Sequence, residues 1–147
     1  MSSFKGQFHY TLDTKGRLNI PAKFRRSLEP EANETFVTIR GFDPCLFLYP
    51  LDEWKKFEDK LRQLTTNKKQ NRLFIRMITS NASEDRCDKQ GRIIIPADLL
   101  KIANIERDVL IVGALDKIEV WNPQVYQETL EASGENYEDI AEKINFE

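Results

Sequence analysis

The stretch LDTKGRLNIPA at residues 12–22 decides the fold, because the chain repeats its pattern as CDKQGRIIIPA at residues 87–97. Six positions are identical between the two stretches at a constant offset of 75. Self-similarity at a fixed offset is typical of one supersecondary unit that is used twice. The 147 residues therefore divide into two halves of about 70 residues each, which are small for independent folding. We expect the halves to pack against each other or the chain to self-associate.

Both stretches contain an Asp-x-x-Gly-Arg turn that leads into a short strand. In such a turn the Asp side chain caps backbone N–H groups, the Gly takes a positive-φ position, and the Arg begins the outgoing strand. These residues are Asp13, Gly16 and Arg17 in the first copy and Asp88, Gly91 and Arg92 in the second. Two interpretations of the arginine stay open. It pairs with its Asp only to hold the turn, or the Asp orients a guanidinium whose other donors meet an external anion.

Hydrophobic periodicity predicts the same order of elements in both halves. In the first half a strand at residues 4–10 precedes the turn, and a short helix begins at Pro21, whose missing N–H costs no helical hydrogen bond. A β-hairpin around GFDP and an amphipathic helix with Asp52 as N-cap complete this half. The second half repeats the turn, strand, short helix and hairpin, and then a helix with Asn122 as N-cap and Pro123 as its first residue.

The chain is thus predicted to be α+β, mainly β, with each half formed by a β-β-α-β-β unit and a helix. An added amphipathic helix between the halves is predicted from four apolar residues, Leu73, Phe74, Met77 and Ile78. A weaker amphipathic helix at the end is predicted from Tyr137, Ile140, Ala141 and Ile144. The predicted domains are 1–66 for the first half, 67–80 for the connecting helix, 81–132 for the second half and 133–147 for an acidic C-terminal helix or tail.

The net charge of −2 conceals a strong segregation of charge along the chain. Residues 1–26 contain six Lys or Arg against one acid, whereas residues 102–147 contain three bases against eleven acids. An acidic protein can still bind a polyanion, because binding responds to the local potential. The candidate polyanion-binding residues of the first half, expected around one turn and its short helix, are Lys15, Arg17, Lys23, Arg25 and Arg26. The alternative for the last three is a solvated helix face.

The surroundings of Arg92 in the second copy favour contact with an external anion less than those of Arg17. Its turn is flanked by Glu84, Asp85 and Asp98, and Gln90 stands where the first copy has a lysine. We therefore expect the first turn to contact the ligand and the second mainly to build the fold or the assembly.

The sequence offers little for an enzyme or a metal site. His9 is the single histidine, and neither a G-x-S-x-G nucleophile motif nor a G-x-x-x-x-G-K-[ST] phosphate loop occurs. Cys45 and Cys87 lack the close spacing of metal ligands and are expected to be small buried residues. We expect no catalytic residue, no metal, no cofactor and no small-molecule substrate. Without an apolar run of about 18 residues or a signal-peptide block, we expect no membrane contact and a cytoplasmic location.

Four aromatic residues resemble a base-stacking platform in composition, namely Phe47, Tyr49, Trp54 and Trp121. Their spacing, however, fits core positions of strands and helices. We therefore assign these rings to the core.

The chain resembles the MraZ family of bacterial transcriptional regulators essentially from end to end. The resemblance lies in the tandem stretches DTKGRLNIPAKFR and DKQGRIIIPADLL, in the hairpin segments RGFDPCLFLYP and DKIEVW, and in the connecting helix. The resemblance implies two tandem SpoVT/AbrB-like swapped-hairpin halves with a double-ψ barrel-like architecture. It also implies a ring-like homo-oligomer at the nucleoid that binds direct repeats in double-stranded DNA. The implied targets are its own promoter and the division and cell-wall gene cluster, with repression as the main effect. The arginines that this resemblance places on DNA are Arg17 and Arg92. With DNA as the ligand, the candidates for phosphate contacts are Lys15, Lys23, Arg25 and Arg26.

Two other functions stay open. An oligomeric scaffold or protein-interaction ring without specific DNA binding would use the aromatic residues Trp54 and Phe57 and the acidic tail for protein contacts. An enzyme is the other alternative, since related double-ψ barrel architectures host catalysis, although a catalytic motif is lacking here. Salt dependence separates DNA binding from a scaffold, because phosphate contacts weaken as ionic strength rises.

Overall fold

The computed structural model describes residues 2–145, and its two halves have the same order of elements. The first half contains β1 (Gln7–Thr11), β2 (Arg17–Asn19), α1 (Ala22–Arg26), a 3-10 turn (Pro30–Ala32), β3 (Thr35–Arg40), β4 (Leu46–Pro50) and α2 (Leu51–Arg62). The connecting helix is α3 (Lys69–Thr79). The second half contains β5 (Ser83–Arg86), β6 (Arg92–Ile94), α4 (Ala97–Ile102), β7 (Asp108–Gly113), β8 (Ile118–Trp121) and α5 (Pro123–Ala132), and α6 (Tyr137–Ile144) follows. The predicted order of elements is confirmed.

Six strands form one antiparallel sheet in the order β1-β7-β8-β4-β3-β5, and β2 pairs with β6 in a separate two-stranded ribbon. Each hairpin is flanked by a strand of the other half, because β1 pairs with β7 and β5 pairs with β3. The halves are therefore interlocked, and each supplies a strand that the other lacks. The α+β, mainly β class is confirmed, and over residues 2–145 the sheet does not close into a barrel.

The four central strands of the sheet, β7, β8, β4 and β3, are largely buried because they alternate apolar residues toward two separate clusters, one on each face. In β4, Leu46 and Leu48 face the first cluster, whereas Phe47 and Tyr49 face the second. The first cluster is completed by residues of the ribbon and the short helices, including Leu18, Ile20, Phe24, Ile93, Ile95 and Leu99. The second is completed by residues of the long helices and β8, including Trp54, Leu61, Ile78 and Trp121. The ribbon with α1 and α4 therefore covers one face of the sheet, and α2 and α3 cover the other.

The four aromatic residues that the sequence assigns to the core are all buried, so this prediction is confirmed. The ring of Tyr49 stacks on Phe57 with 5.4 Å between centroids, and Trp121 packs edge-on against Tyr126 at 5.1 Å. Burying one such side chain contributes about 1.5–3 kcal/mol to the free energy of unfolding. These rings stabilise the second cluster and are not available for stacking on bases.

The two predicted helix caps have different outcomes. The Asn122 cap is confirmed, because its side-chain oxygen accepts a hydrogen bond from the N–H of Gln124 at 2.8 Å and Pro123 is the first residue of α5. The Asp52 cap is wrong, because β4 runs directly into α2 and Pro50 takes the N-cap position. Asp52 lies instead in the first turn of α2, where a negative charge favours the positive end of the helix dipole.

Other sequence predictions differ from the structure only in detail or stay untested. β1 begins at Gln7, later than predicted, and Phe4 forms an isolated bridge with Leu115 instead. The C-terminal helix occurs as α6, while residues 1, 146 and 147 of the predicted domains lie outside the described part of the chain. The domain boundaries themselves stay a prediction. No helix within residues 2–145 is long and apolar enough to cross a membrane.

Candidate nucleic-acid interface

The two Asp-x-x-Gly-Arg turns meet in the β2/β6 ribbon. Its antiparallel register places Arg17 opposite Ile94 and Asn19 opposite Arg92. At each end of the ribbon, an isoleucine N–H of one copy donates to the carbonyl of the turn glycine of the other copy at 2.9 Å. Equivalent positions of the two copies are therefore exchanged by a pseudo-twofold axis through the ribbon.

Alternation along the ribbon brings both arginines to one face. Leu18 and Ile93 point into the core and are 0% and 1% exposed. The opposite side, which we call the ribbon face, consists of Arg17, Asn19, Arg92 and Ile94. Asn19 is exposed and Ile94 is 50% exposed. The two motifs thus have equivalent positions, and the different roles expected for them from sequence stay a prediction.

In the first turn, one carboxylate holds both the backbone and the arginine. Oδ1 of Asp13 accepts hydrogen bonds from the N–H groups of Lys15 and Arg17, both at 2.9 Å, and Oδ2 accepts from Nε of Arg17. The N–H of Gly16 donates to the carbonyl of Asp13 at 3.1 Å, and Gly16 has φ +76°. The predicted cap and the predicted positive-φ glycine are both present.

The second turn repeats this geometry. Oδ1 of Asp88 accepts from the N–H groups of Gln90 and Arg92 at 2.9 Å, and Oδ2 accepts from Nε of Arg92 at 2.9 Å. Gly91 has φ +77°. In addition, Nη1 of Arg92 lies 3.9 Å from Oδ2 of Asp13 in the other turn. The two turns are therefore linked electrostatically as well as through the ribbon.

Both carboxylates are stabilised in the charged form. The backbone N–H of Arg17, together with its guanidinium and the N–H of Lys15, lowers the pKa of Asp13 to about 2. The backbone N–H of Arg92 is likewise the main cause that lowers the pKa of Asp88. Each arginine therefore faces an ionised acid at neutral pH.

The Asp pairing engages only part of each guanidinium. Among residues 2–145 the Nη groups of Arg17 have no hydrogen-bond acceptor, and the only further contact of Arg92 is the one to Asp13 at 3.9 Å. The arginine side chains are 30% and 24% exposed. A guanidinium fixed at Nε and open at Nη can bind a planar acceptor or a phosphate with two parallel hydrogen bonds. The geometry thus combines both roles considered for these arginines, turn pairing and free donors.

The expectation that the cations of the first half cluster around the first turn is wrong for Arg25. Arg25 lies against the second turn, where a Cβ built on Gly91 would stand 2.5 Å from its Nε, and this Nε donates to the carbonyl of Ile20 at 3.1 Å. Leu100 of α4 holds the equivalent place beside Gly16 of the first turn, at 3.8 Å from a Cβ there. Because the halves are interlocked, each short helix packs beside the turn of the other half.

The exposed cations are consequently distributed over both turns. Lys15 is exposed in the first turn, and Lys23, Arg25 and Arg26 are exposed on α1. Lys89, which was not among the residues predicted from sequence, is exposed in the second turn. Its position in the second turn, between Asp88 and Gly91, could have indicated from sequence that it lies beside Arg92. Asn19 and Ile94 were also missed, because they join the arginines only through the pairing of β2 with β6.

The remaining polar candidates are used structurally or stand apart. Oδ2 of Asp85 accepts from the N–H of Ile94 at 2.7 Å, so this acid supports the ribbon. His9 is exposed on β1. Burial raises the pKa of the Cys45 thiol to about 12 and that of Cys87 to about 11, so both thiols stay protonated. Within residues 2–145 no group of three His, Cys, Asp or Glu side chains could hold a metal ion.

Comparison with known proteins explains the duplication. The family described as "MraZ protein, putative antitoxin-like" matches residues 3–77 and again residues 78–145. The chain belongs to the MraZ family. A relative from Pediococcus pentosaceus described as "Transcriptional regulator MraZ" is 47% identical over 141 residues, which cover 96% of each chain. The resemblance that the motifs indicated is confirmed.

Each MraZ repeat contributes one turn, one arginine and one strand to the ribbon. The first match contains Asp13 and Arg17, and the second contains Asp88 and Arg92. Since β2 pairs with β6, the ribbon face of the described chain is formed by both MraZ repeats together.

Proposed function

We propose that this protein is a DNA-binding transcriptional regulator without catalytic activity that contacts duplex DNA through the ribbon face. One observation carries the proposal. Two arginines on a single face are each fixed at Nε by a carboxylate, and they retain Nη donors that are at most weakly engaged among the described residues. The name of the Pediococcus relative, a transcriptional regulator, supports the same functional class.

The ribbon has a shape suited to the major groove, which is about 12 Å wide and admits a two-stranded β-ribbon. In the proposed complex Arg17 makes a bidentate contact to a guanine edge, and Arg92 makes the equivalent contact across the pseudo-twofold axis. Asn19 suits an adenine edge and Ile94 a thymine methyl group. The ribbon face would then read several neighbouring base pairs.

The surrounding cations would position the ribbon by contacting phosphates, which carry affinity but no sequence information. The residues proposed for this role are Lys15, Lys23, Arg25, Arg26 and Lys89. Arg25 also has a structural role, because it covers Gly91. Affinity should therefore fall as ionic strength rises, with log K decreasing by roughly 0.9 per contacted phosphate for each tenfold increase in salt.

A single ribbon covers only a few base pairs, so we propose that several copies act together. A ring-like homo-oligomer would present repeated ribbon faces to direct repeats, and weak contacts would add through avidity. We propose as targets the chain's own promoter and the division and cell-wall gene cluster, with repression as the main effect. Such a protein would work in the cytoplasm, at the nucleoid.

A scaffold or protein-interaction ring without specific DNA binding is the alternative. It is favoured by exposed apolar residues outside the ribbon, such as Phe42, Leu73 and Tyr137, which are 61%, 51% and 81% exposed. Protein contacts through these residues would be weakly dependent on salt, unlike phosphate contacts.

The test compares binding to duplex from upstream of the chain's own gene with binding to a scrambled duplex, by fluorescence anisotropy at about 100 mM salt. Arg17→Ala should abolish the preference for the specific duplex, whereas Lys23→Ala should weaken binding to both duplexes alike. Arg62→Ala is the matched control, because Arg62 also pairs with acids but lies on α2, across the sheet from the ribbon. It should leave both affinities unchanged.

Two results would change the proposal. Equal losses on both duplexes for Arg17→Ala would reassign this arginine to the DNA backbone. Wild-type protein that binds neither duplex at any salt concentration would leave the scaffold alternative.

A further inference from the structure

The connecting helix presents an apolar surface that its own chain leaves open. Four exposed side chains, on α3 and on the neighbouring β3–β4 turn, form what we call the α3 face: Phe42, Leu73, Phe74 and Met77, which are 61%, 51%, 38% and 42% exposed. Phe42 packs on Phe74 with 6.0 Å between ring centroids, so the β3–β4 turn and α3 are in contact. A groove of about 460 Å³ is lined by three of these residues together with Arg40, Gly41 and Ile78. Only Ile78 among the apolar residues predicted for α3 is buried.

The α3 face is bordered by positive charge. Lys69 and Arg76 precede and follow Leu73 by four and three residues, which places them beside it on the helix surface. Both are exposed, and neither forms an ion pair with any residue between 2 and 145. A partner for this face should therefore be apolar at its centre and acidic at its edge.

The C-terminal helix has this chemistry. Tyr137, Ile140, Ala141 and Ile144 of α6 form an apolar stripe, yet every residue from 131 to 145 is exposed. Tyr137 and Ile144 are 81% and 64% exposed. Glu138 and Glu142, four residues apart, lie beside the stripe and form no ion pair within the described chain. An isolated helix of this length is marginal in water, so α6 requires a surface to be stable.

In its own chain α6 stays apart from the α3 face. Helix α5 is anchored by the Tyr126 ring on Trp121 and by the Asn122 cap, and only residues 133–136 separate α5 from α6. The stripe and the α3 face are consequently both open in one molecule.

We propose that the α3 face of one copy receives α6 of a second copy. The stripe of α6 covers Phe42, Leu73, Phe74 and Met77, while Glu138 and Glu142 approach Lys69 and Arg76. The contact joins two different surfaces, so it is head-to-tail and propagates around a ring or along a chain of copies. It deepens the self-association in the proposed function by naming both surfaces, and it is independent of DNA.

The test measures the mass of the full chain without DNA by light scattering after size exclusion. Met77→Asp damages only the α3 face and Ile140→Asp only the stripe, so each variant alone should be monomeric. An equimolar mixture should form a 1:1 dimer, because one intact α3 face and one intact stripe remain. Leu115→Asp, which changes a 67% exposed leucine outside both surfaces, is the matched control and should assemble like the wild type.

Charge reversal tests the contact without altering apolar packing. Lys69→Glu with Arg76→Glu, or Glu138→Lys with Glu142→Lys, should raise the concentration of half-assembly by about tenfold or more, a loss typical of like-charge contacts. The chain that combines all four changes should recover most of this loss. All four positions are exposed, and thermal unfolding confirms that each variant is folded.

Each failure has a distinct meaning. If Met77→Asp and Ile140→Asp assemble like the wild type, or if their mixture stays monomeric, the α3–α6 contact is overturned. Self-association of the wild type would then use other surfaces. A wild type that is monomeric at all concentrations would remove both the contact and the proposed oligomer. Neither result bears on the Arg17→Ala experiment, which tests the ribbon on DNA.

Discussion

Asp13 has two roles in the first turn, because one carboxylate oxygen fixes the backbone and the other fixes the guanidinium. Oδ1 accepts from the N–H groups of Lys15 and Arg17, and Oδ2 accepts from Nε of Arg17. Replacement by Asn keeps an acceptor for the backbone but removes the charge that holds the arginine. The conformation of the turn and the orientation of Arg17 are therefore separable at this one position.

The low pKa of Asp13 predicts how acid destabilises the turn. Its pKa is about 2 in the folded chain against an ordinary value of 3.8, so the unfolded state takes up the proton first as pH falls. The stabilisation is thus complete above about pH 4 and is lost as pH falls through about 2. Melting temperatures of wild type and Asp13→Asn, measured by circular dichroism between about pH 5 and 2, should converge with falling pH.

The control for this prediction is Glu128→Gln on α5, which removes an exposed carboxylate that makes no hydrogen bond or ion pair among the described residues. Its melting temperature should follow that of the wild type at every pH. A gap between wild type and Asp13→Asn that stays constant down to pH 2 would show that the carboxylate charge does not stabilise the turn.

The roles of single residues in the turns could be predicted from sequence, because Asp caps and positive-φ glycines act within five consecutive residues. The position of Arg25 could not. It follows the first turn in sequence but covers Gly91 of the second, since the exchange of strands moves α1 to the other half. Local sequence patterns do not predict which residue a surface side chain will contact.

The first turn of the ribbon depends on a glycine, Gly16. A Cβ on Gly16 would meet the carbonyl oxygen of Ile95 at 3.0 Å. Ile95 cannot move away freely, because its N–H donates a hydrogen bond to the carbonyl of Gly16. Gly134 has a similar φ of +66°, but nothing lies within 4 Å of its Cβ position. The two sites therefore share the backbone strain and differ in the contact.

Gly16→Ala should consequently destabilise the protein more than Gly134→Ala. A left-handed conformation costs an alanine about 1 kcal/mol at either site, and overpacking against Ile95 adds about 1 kcal/mol or more. The difference corresponds to roughly 2–4 °C in Tm for a chain of this size. Equal melting temperatures of the two variants in a thermal scan would mean that the ribbon adapts to the extra methyl group.

The order of helices and strands was predictable because the spacing of apolar residues differs between them. It is two residues in strands and about 3.6 residues in helices. Two details were not predictable. The N-cap of α2 is Pro50 and not Asp52, because the chain passes from strand to helix without a loop. The pairing of β2 with β6 joins two strands of three residues, which are too short to specify a partner by pattern. It is fixed by the burial of Leu18 and Ile93 beneath them.

At the scale of the whole molecule, both halves contribute residues to the ribbon face because they are interlocked. β1 has its partner in β7, β5 has its partner in β3, and β2 has its partner in β6. The first apolar cluster likewise combines Phe24 of one half with Leu99 of the other. Sequence predicted that two small halves must share a core, but the exchange of strands came only from the resemblance to a family and from the structure.

This architecture predicts that neither half folds as a monomer. Residues 1–80 contain the β3–β4 hairpin without β5, and residues 81–147 contain the β7–β8 hairpin without β1. Each half alone should be unfolded, or should dimerise with a copy of itself that supplies the exchanged strand through the pseudo-twofold axis. Mixed in equal amounts, the two halves should form a 1:1 complex with one cooperative thermal transition. Light scattering measures the masses, and circular dichroism measures the thermal transitions. A folded monomer of either half would contradict the interlocked fold, because its sheet would then be complete without the exchanged strand.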